Sequence, residues 1–512
     1  MATVSLKSAD GKWVMASAIL ASSMAFIDGT ALNVVLPALQ KNLNATGADL
    51  FWILNAYLLM LASLILIGGS LGDKLGRKKM FIAGIVIFIL GSALCGISTS
   101  ILLLIAFRLI QGLGGAFMIP GSLALISSSI DPKERGKAIG TWSAVTTLVT
   151  MGGPILGGAL ADAGLWRYIF FINVPIGIAA LAVLLTRVKE VPSKDTDKTI
   201  DIWGAVTICL GLALLTFGFL RIPALGVYHW QSLSSLVMGM AFLAAFIVIE
   251  LRGHHPMMPM SLFANPTFSG ANLLTLFLYA GLGAGMLFLS LNLVQVQGYT
   301  QLQSGLTFLP FTIMMISIAR FAGGLADKHG PRLLLICGPA AAGLGLLILS
   351  FVKQTAGPSD YWTTFLPGVI VFGLGMSFTV APLTTAVMTS VADNYSGTAS
   401  GVNNAMTRIA NVFANAVFGA LAVVFFTGAL QKEISGLKLS QPQQQEIINA
   451  GVNLGNAKIP AGVNENEKPR VEKAFHQSFI HAYSNVMRIS AGLTFLAALS
   501  AAIFIRNEKK KL

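Results

Sequence analysis

The strongest constraint on this chain is a succession of apolar stretches, eighteen residues or longer, that recur from one end to the other. Each can cross the hydrocarbon of a bilayer only as a helix, because lipid offers no partner to a backbone N–H or C=O. The stretches lie near 13–37, 51–71, 80–99, 102–128, 138–161, 168–187, 201–221, 232–252, 267–292, 304–325, 332–352, 362–383, 398–427 and 484–505, and they predict fourteen transmembrane helices. Composition agrees: 55% of the 512 residues are hydrophobic and 11% charged, unlike any soluble domain of this size. The first stretch superficially resembles a signal peptide. Its length, the Asp28 within it and the lack of a small-residue cleavage site make it an uncleaved first span.

A net charge of +13 raises the question of nucleic acid, but the basic residues sit in short loops that alternate with the spans. With the N-terminus inside, the cytoplasmic segments hold twenty Lys and Arg against four in the short outer loops, namely Lys41, Arg167, Arg221 and Lys353. That asymmetry predicts a multi-pass protein of the cell (inner) membrane with both termini cytoplasmic and no nucleic-acid partner. The hydrophilic segment 428–483 is left out of the count, since long segments translocate regardless of charge; it is read as a decorated outer loop rather than a lid. Cys95, Cys209 and Cys337 all lie inside apolar stretches and are expected to be unbridged core residues.

Between the second and third spans stands Gly69-Ser-Leu-Gly-Asp73-Lys-Leu-Gly76-Arg77-Lys78-Lys79, and a weaker copy, Gly323-Gly-Leu-Ala-Asp327-Lys-His-Gly330-Pro331-Arg332, joins the tenth and eleventh. The glycines suit a tight turn and close helix approach, and the acid can pair with the basic cluster. A loop repeated in corresponding places implies a repeated bundle. The predicted architecture is therefore all-α, with two six-helix bundles and two inserted helices (6+2+6). The bundles cover 1–188 and 267–512, the latter carrying the outer loop 428–483; a linker with two peripheral inserted spans occupies 189–266.

The first copy resembles the signature loop of the major facilitator superfamily, which implies that Gly69, Asp73, Gly76, Arg77, Asp327 and Arg332 form a cytoplasmic gating latch. Pro331 stands where that family usually has a basic residue.

Asp28 lies well inside the first span, where an ionisable group is costly and faces a cavity or a partner. Burial favours its neutral form, so it can take up and release a proton; the alternative is a plain helix-locking ion pair with an arginine. Arg108 of the fourth span is a fixed charge that needs a counter-charge, and Asp28 is the nearest candidate by span order. Arg108, Gln111, Gly112 and Gly115 share one helical face. In the fifth span Gly153 and Gly157 make a small-xxx-small face, and Pro154 frees a backbone acceptor. In the thirteenth, Asn404, Arg408, Asn411 and Asn415 line one face, assigned to a central cavity opposite Asp28. Asn272, Thr275 and Tyr279 of the ninth span, Tyr57 and Asn55 of the second, and Asn33 and Gln111 complete the candidate cavity set. Arg320 and Arg488 are expected to snorkel.

Asp28, Thr30, Asn33, Leu36 and Pro37 resemble the first-span motif of the fourteen-span drug:proton antiporter branch of that superfamily. Arg108 with Gln111-Gly112 resembles its fourth-span motif, Met151 to Gly158 its antiporter motif, and Trp166 to Gly177 a further branch-typical stretch. The resemblance implies a proton-coupled exporter of small lipophilic or cationic compounds, with Asp28 and Arg108 in proton coupling and Gly153, Pro154 and Gly157 marking export. The branch often follows the thirteenth-span arginine with glycines, where this chain has Ala410, Asn411 and Ala414. A proton symporter or metabolite exporter, and a non-transport protein on this scaffold, are the alternatives. No phosphate-binding loop, metal-ligand set or nucleophile–base pair is legible, so neither an enzyme nor a cofactor is expected. The expected partners are small molecules, protons and the bilayer, with accessory envelope proteins left open and a monomer as the working unit.

Overall fold

The computed structural model describes residues 4–131, 134–188, 201–253, 256–391, 396–460 and 462–506. The linker Lys189 to Lys198, the His254-His255 doublet and the side chains of Asp73, Asp327 and Arg320 lie outside the described residues.

The described chain is helical. The first half holds α1 (Ala9–Leu43), α2 (Gly47–Leu75), α3 (Arg77–Ile97), α4 (Ile101–Ser129), α5 (Arg135–Asp162), α6 (Tyr168–Phe171) and α7 (Asn173–Arg187). Then come α8 (Ile202–Leu225) and α9 (Trp230–Arg252). The second half holds α10 (Pro266–Gln295), α11 (Gln301–Leu306), α12 (Leu309–His329), α13 (Arg332–Leu349), α14 (Tyr361–Thr389), α15 (Ser396–Ile434), α16 (Gln441–Ala450) and α17 (Lys468–Phe504). Among the described residues thirteen helices are long and apolar enough to cross a membrane, and α5 adds the shorter apolar length Leu148–Asp162. Their outer faces carry exposed Leu102, Trp203, Phe321 and Leu333. Such surface is stable only against lipid.

Polar caps start the helices. Thr46 and Asp49 form a capping box at α2, Thr300 and Gln303 another at α11, and the Asn265 side chain accepts the first free N–H groups of α10. The repeated loop resolves into one turn used twice. Gly76 (φ 106°) ends α2 and Gly330 (φ 83°) ends α12, both at backbone angles that a side chain would strain. Close helix approach belongs to Gly68 rather than Gly69: a Cβ on Gly68 would stand 2.1 Å from Ala116 O, whereas one on Gly69 would touch only Pro120 at 3.9 Å.

The two halves pack alike. In the first, α4 lies between α2 and α3, and α1 between α5 and α7; in the second, α14 lies between α12 and α13, and α10 between α15 and α17. Across the halves, α2 runs along α15 and α5 meets α11, the same pairing seen from either side. Helices α8 and α9 pair with each other, and α8 leans on α2 and α15 from outside. This pair does carry a buried acid: Glu250 accepts a hydrogen bond from Met258 N at 2.9 Å. Cys95 is buried, Cys209 half-buried and Cys337 exposed, so the last is a surface residue and not a core one.

The segment expected as an outer loop is largely structured. Helix α15 runs on to Ile434, α16 and the 3-10 segment Gly451–Asn456 follow, and α17 begins at Lys468 with Val471, Ala474, Phe475 and Phe479 buried. The 3-10 segment touches α2, α10, α15 and α17, with Leu454 buried at φ 56°. Gln40 of α1 donates to Asn453 O (3.2 Å) and accepts from Gln295 of α10 (3.1 Å). The segment thus covers the end of the molecule remote from the Gly76 and Gly330 turns, termed here the far end.

There the halves meet backbone to backbone. A Cβ on Gly158 would lie 2.4 Å from Gln301 O, and one on Gly305 would lie 2.3 Å from Pro154 O. Asp162 at the end of α5 accepts from the first amides of α11, Gln301 N (2.8 Å) and Leu302 N (2.9 Å), where the helix dipole also favours a carboxylate. Gly158→Leu or Gly305→Leu should therefore hold the far end apart. Spin labels at Ala163 and Leu306 should report a longer distance in either variant than in the parent; an unchanged distance would contradict this account of the closure.

Candidate functional site

The buried charges of the first half form one cluster. Arg108 is 1% exposed and Asp28 0%. Arg108 Nη1 donates to Asp28 Oδ2 (2.5 Å) and to Gln111 Oε1 (2.7 Å), while its Nε donates to Ile53 O (3.2 Å). Gln111 Nε2 donates to the second carboxylate oxygen of Asp28 (3.0 Å) and to Ser92 Oγ (3.2 Å). Asn173 also donates to Ser92 (2.9 Å), which in turn donates to Phe170 O (2.8 Å). The guanidinium lies 4.4 Å from the Tyr57 ring centre, a cation–π contact added to the ion pair. Both carboxylate oxygens of Asp28, and Nε and Nη1 of Arg108, are thus partnered, as the burial of such a pair requires.

The glycine-rich stretch of α5 is what lets this cluster sit beside α1. A Cβ on Gly153 would fall 2.0 Å from Thr30 Oγ1, and one on Gly157 would fall 2.6 Å from Ala31 O. Pro154 has no N–H to give to the carbonyl four residues back, Thr150 O. Thr30 Oγ1 takes that orphan at 2.9 Å. Pro37 in α1 likewise frees Asn33 O, which Ser290 of α10 approaches at 3.5 Å. Gln301, with its amide nitrogen toward Val34 O (2.9 Å) and its oxygen toward Ala38 N (3.1 Å), bridges α1 just beyond. Helix α1 therefore carries Asp28 and the far-end contacts on one rigid rod.

A cavity of about 490 Å³ lies between the halves. Asn33, Tyr57, Arg108, Tyr279, Asn404, Arg408, Asn411 and Asn415 are all on its wall, as is Pro154. Gln111 and Asn272 are not. Gln111 is turned behind Arg108 into the ion-pair cluster, and Asn272 is buried behind Asn403, which donates to it (3.2 Å) and to Thr275 (2.7 Å). Asn55 is also buried off the wall, with neither amide atom partnered. Asp28 itself is one layer back; Gly29, Thr30 and Arg108 stand at the surface. The wall continues through Thr384, Met388 and Ser400, near the ends of α14 and α15 on the Gly76/Gly330 side, so the space extends to that side and stops at the far end.

Asn403 went unnoticed because it lies one residue off the Asn404–Arg408–Asn411 stripe; a cavity wall takes in two adjacent faces of a helix. Ser92, a lone serine in an apolar stretch, gives no signal. Of the latch residues, Arg332 reaches Ala502 O (2.9 Å) at the end of α17, and Gly76 and its repeat make the turns. Arg77 begins α3, while its neighbour Lys78 donates to Val188 O (2.6 Å) beyond α7. Exposed Arg488 lies over Phe351, 5.6 Å from the ring centre.

Removing one member of the buried pair should cost more than replacing both. Arg108→Ala is expected to destabilise the protein by about 3–5 kcal/mol, and the double variant Asp28→Asn/Arg108→Met by less. Thermal unfolding in detergent checks the order; equal midpoints would mean the pair is not desolvated as described.

Comparisons with known proteins agree with this fold. The family model described as Major Facilitator Superfamily matches residues 18–415. The chain is 30% identical over 488 residues to the tetracenomycin C resistance and export protein of Streptomyces glaucescens, covering 94% of this chain and 89% of that one. It is 31% identical over 433 residues to the multidrug resistance protein Stp of Mycobacterium tuberculosis (strain CDC 1551 / Oshkosh), covering 83% and 78%. In fold it is similar to an inward-facing, unoccupied bacterial homolog of the human lysosomal transporter Spinster, with a TM-score of 0.69, 19% identity and coverage of 98% and 100%.

Proposed function

The chain belongs to the Major Facilitator Superfamily, and from that premise we propose that this multi-pass membrane transporter is a proton-coupled exporter of small, largely apolar compounds working by alternating access. The observation that carries the reading is the Asp28–Arg108 pair, a fully buried carboxylate held by a cation that is itself part of the cavity wall. Relatives named for antibiotic export and multidrug resistance support the direction of transport.

The chain is placed with fourteen spans in a 6+2+6 plan, with the Gly76 and Gly330 turns and both termini in the cytoplasm. The alike packing of the two halves and the charge asymmetry of the loops support that placement. The cavity then faces the cytoplasm and the far end is the closed outer gate. A compound enters from inside or from the inner leaflet and is enclosed by mostly apolar wall residues such as Leu54, Met286, Phe308 and Phe311.

Proton coupling follows from what holds α1. A proton on Asp28 cancels the charge that binds Arg108 and weakens the tie between α1 and α4. Because α1 also carries the contacts to Ser290, Gln295 and Gln301, loosening it biases the outer gate. The Gly153–Pro154–Gly157 stretch, pressed on α1 by one face and on α11 by the other, joins the two events. The loop around Gly76, with Arg77 and its counterpart at Arg332, is read as the inner latch.

The test is efflux from proteoliposomes under a pH gradient. Asp28→Asn should bind a dye of the transported class yet export it no faster than protein-free vesicles do. Undiminished gradient-driven efflux in that variant would remove Asp28 from the mechanism. Proton movement together with the dye would make the protein a symporter.

A further inference from the structure

Among the described residues the charges around the cavity do not balance. Arg108 is answered by Asp28, but Arg408 on the opposite wall is in no ion pair among the described residues, and its Nε is buried without a hydrogen-bond partner. Among the described residues no Asp or Glu lines the cavity. Arginine cannot shed its proton to relieve this, and a half-buried cation with an unpartnered N–H on a largely apolar wall favours a compound that brings it an acceptor. From Asp28, Arg108 and Arg408 together the site carries one surplus positive charge.

The polar groups beside Arg408 are arranged in a consistent way. The amide nitrogens of Asn404 and Asn411 donate to the carbonyls four residues back in their own helix, Ser400 O (3.0 Å) and Thr407 O (3.1 Å). What those side chains keep for the cavity is their carbonyl oxygens, which accept, and the second N–H of each amide. The wall of α15 thus presents a fixed cation flanked by amides that can accept from a hydroxyl.

We infer that the compounds carried present an acidic group, a carboxylate or an acidic phenol or enol in its ionised form, to Arg408, with neighbouring hydroxyls donating to Asn404 and Asn411. This rests on the export reading above and narrows its substrate class; it replaces the lipophilic cations expected from the sequence, because a free cation on the wall repels them. The proton and the anion then occupy different residues, so coupling between them runs through α1 and not through competition for one carboxylate. Export of an anion is additionally favoured by a membrane potential negative inside.

Anthraquinone-2-carboxylate, its carboxamide and its trimethylammoniomethyl analogue share one planar ring system and differ in charge. Binding of each to the full-length protein in nanodiscs, read by tryptophan quenching, should rank the carboxylate first and the cation last. The carboxylate should exceed the amide by roughly ten- to hundredfold, the worth of a charge-assisted hydrogen bond. Arg408→Gln should erase that margin, and Arg408→Lys should keep most of it. Equal or stronger binding of the cation by the parent protein, or a margin that survives Arg408→Gln, overturns the inference. Proteoliposomes under a pH gradient separate the two readings. A carboxylate margin with no gradient-driven export leaves the inference standing and removes proton coupling; gradient-driven export of the amide with no carboxylate margin does the reverse.

Discussion

A charge cannot be taken out of water without an answer, and the first half of this protein is built to supply one. Stripping a carboxylate and a guanidinium of solvent costs several kcal/mol each, and the answer draws on five helices. Asp28 comes from α1, Arg108 and Gln111 from α4, Ser92 from α3 and the Ile53 carbonyl from α2, with Asn173 of α7 behind. Helix α4 can reach these neighbours because its surface is stripped to glycine where it meets them. A Cβ on Gly112 would lie 2.5 Å from Tyr57 O, and one on Gly114 would lie 2.4 Å from Phe88 N. The ion pair and the close approach require each other.

Helix α5 solves a second problem, touching its own half and the other half along one rod. The small residues alternate by face, with Gly153 and Gly157 toward α1 and Gly158 toward α11. The missing amide of Pro154 is not a defect in this setting. It frees the carbonyl that Thr30 occupies, so the break in one helix becomes the fastening of another, two residues from the buried acid.

Much of this could be read in advance, for identifiable reasons. The spans were legible because lipid tolerates nothing but long apolar helices, and the Asn404–Arg408–Asn411 stripe because polar residues at helical spacing in lipid must face something wet. The Asp28–Arg108 partnership followed from the scarcity of charge. What failed was depth: Gln111 shares a face with Arg108, yet spacing cannot tell a residue on a cavity wall from one a layer behind it. The helical start of α17 lay within what reads as an outer loop, because a helix of 37 residues, about 55 Å long, extends beyond the hydrocarbon where hydropathy no longer marks it. The link between Pro154 and Thr30 joins residues far apart in the chain, and no local pattern announces it.

The carboxylate of Asp162 clasps two amides of α11 at an exposed position. Solvent can stand in for either member as soon as they part, so undoing the clasp leaves no orphaned donor and little net enthalpic debt. The buried pair around Asp28 has no such substitute. Hydration, more than bond strength, therefore divides the molecule into a fastening that water can replace and a centre that it cannot.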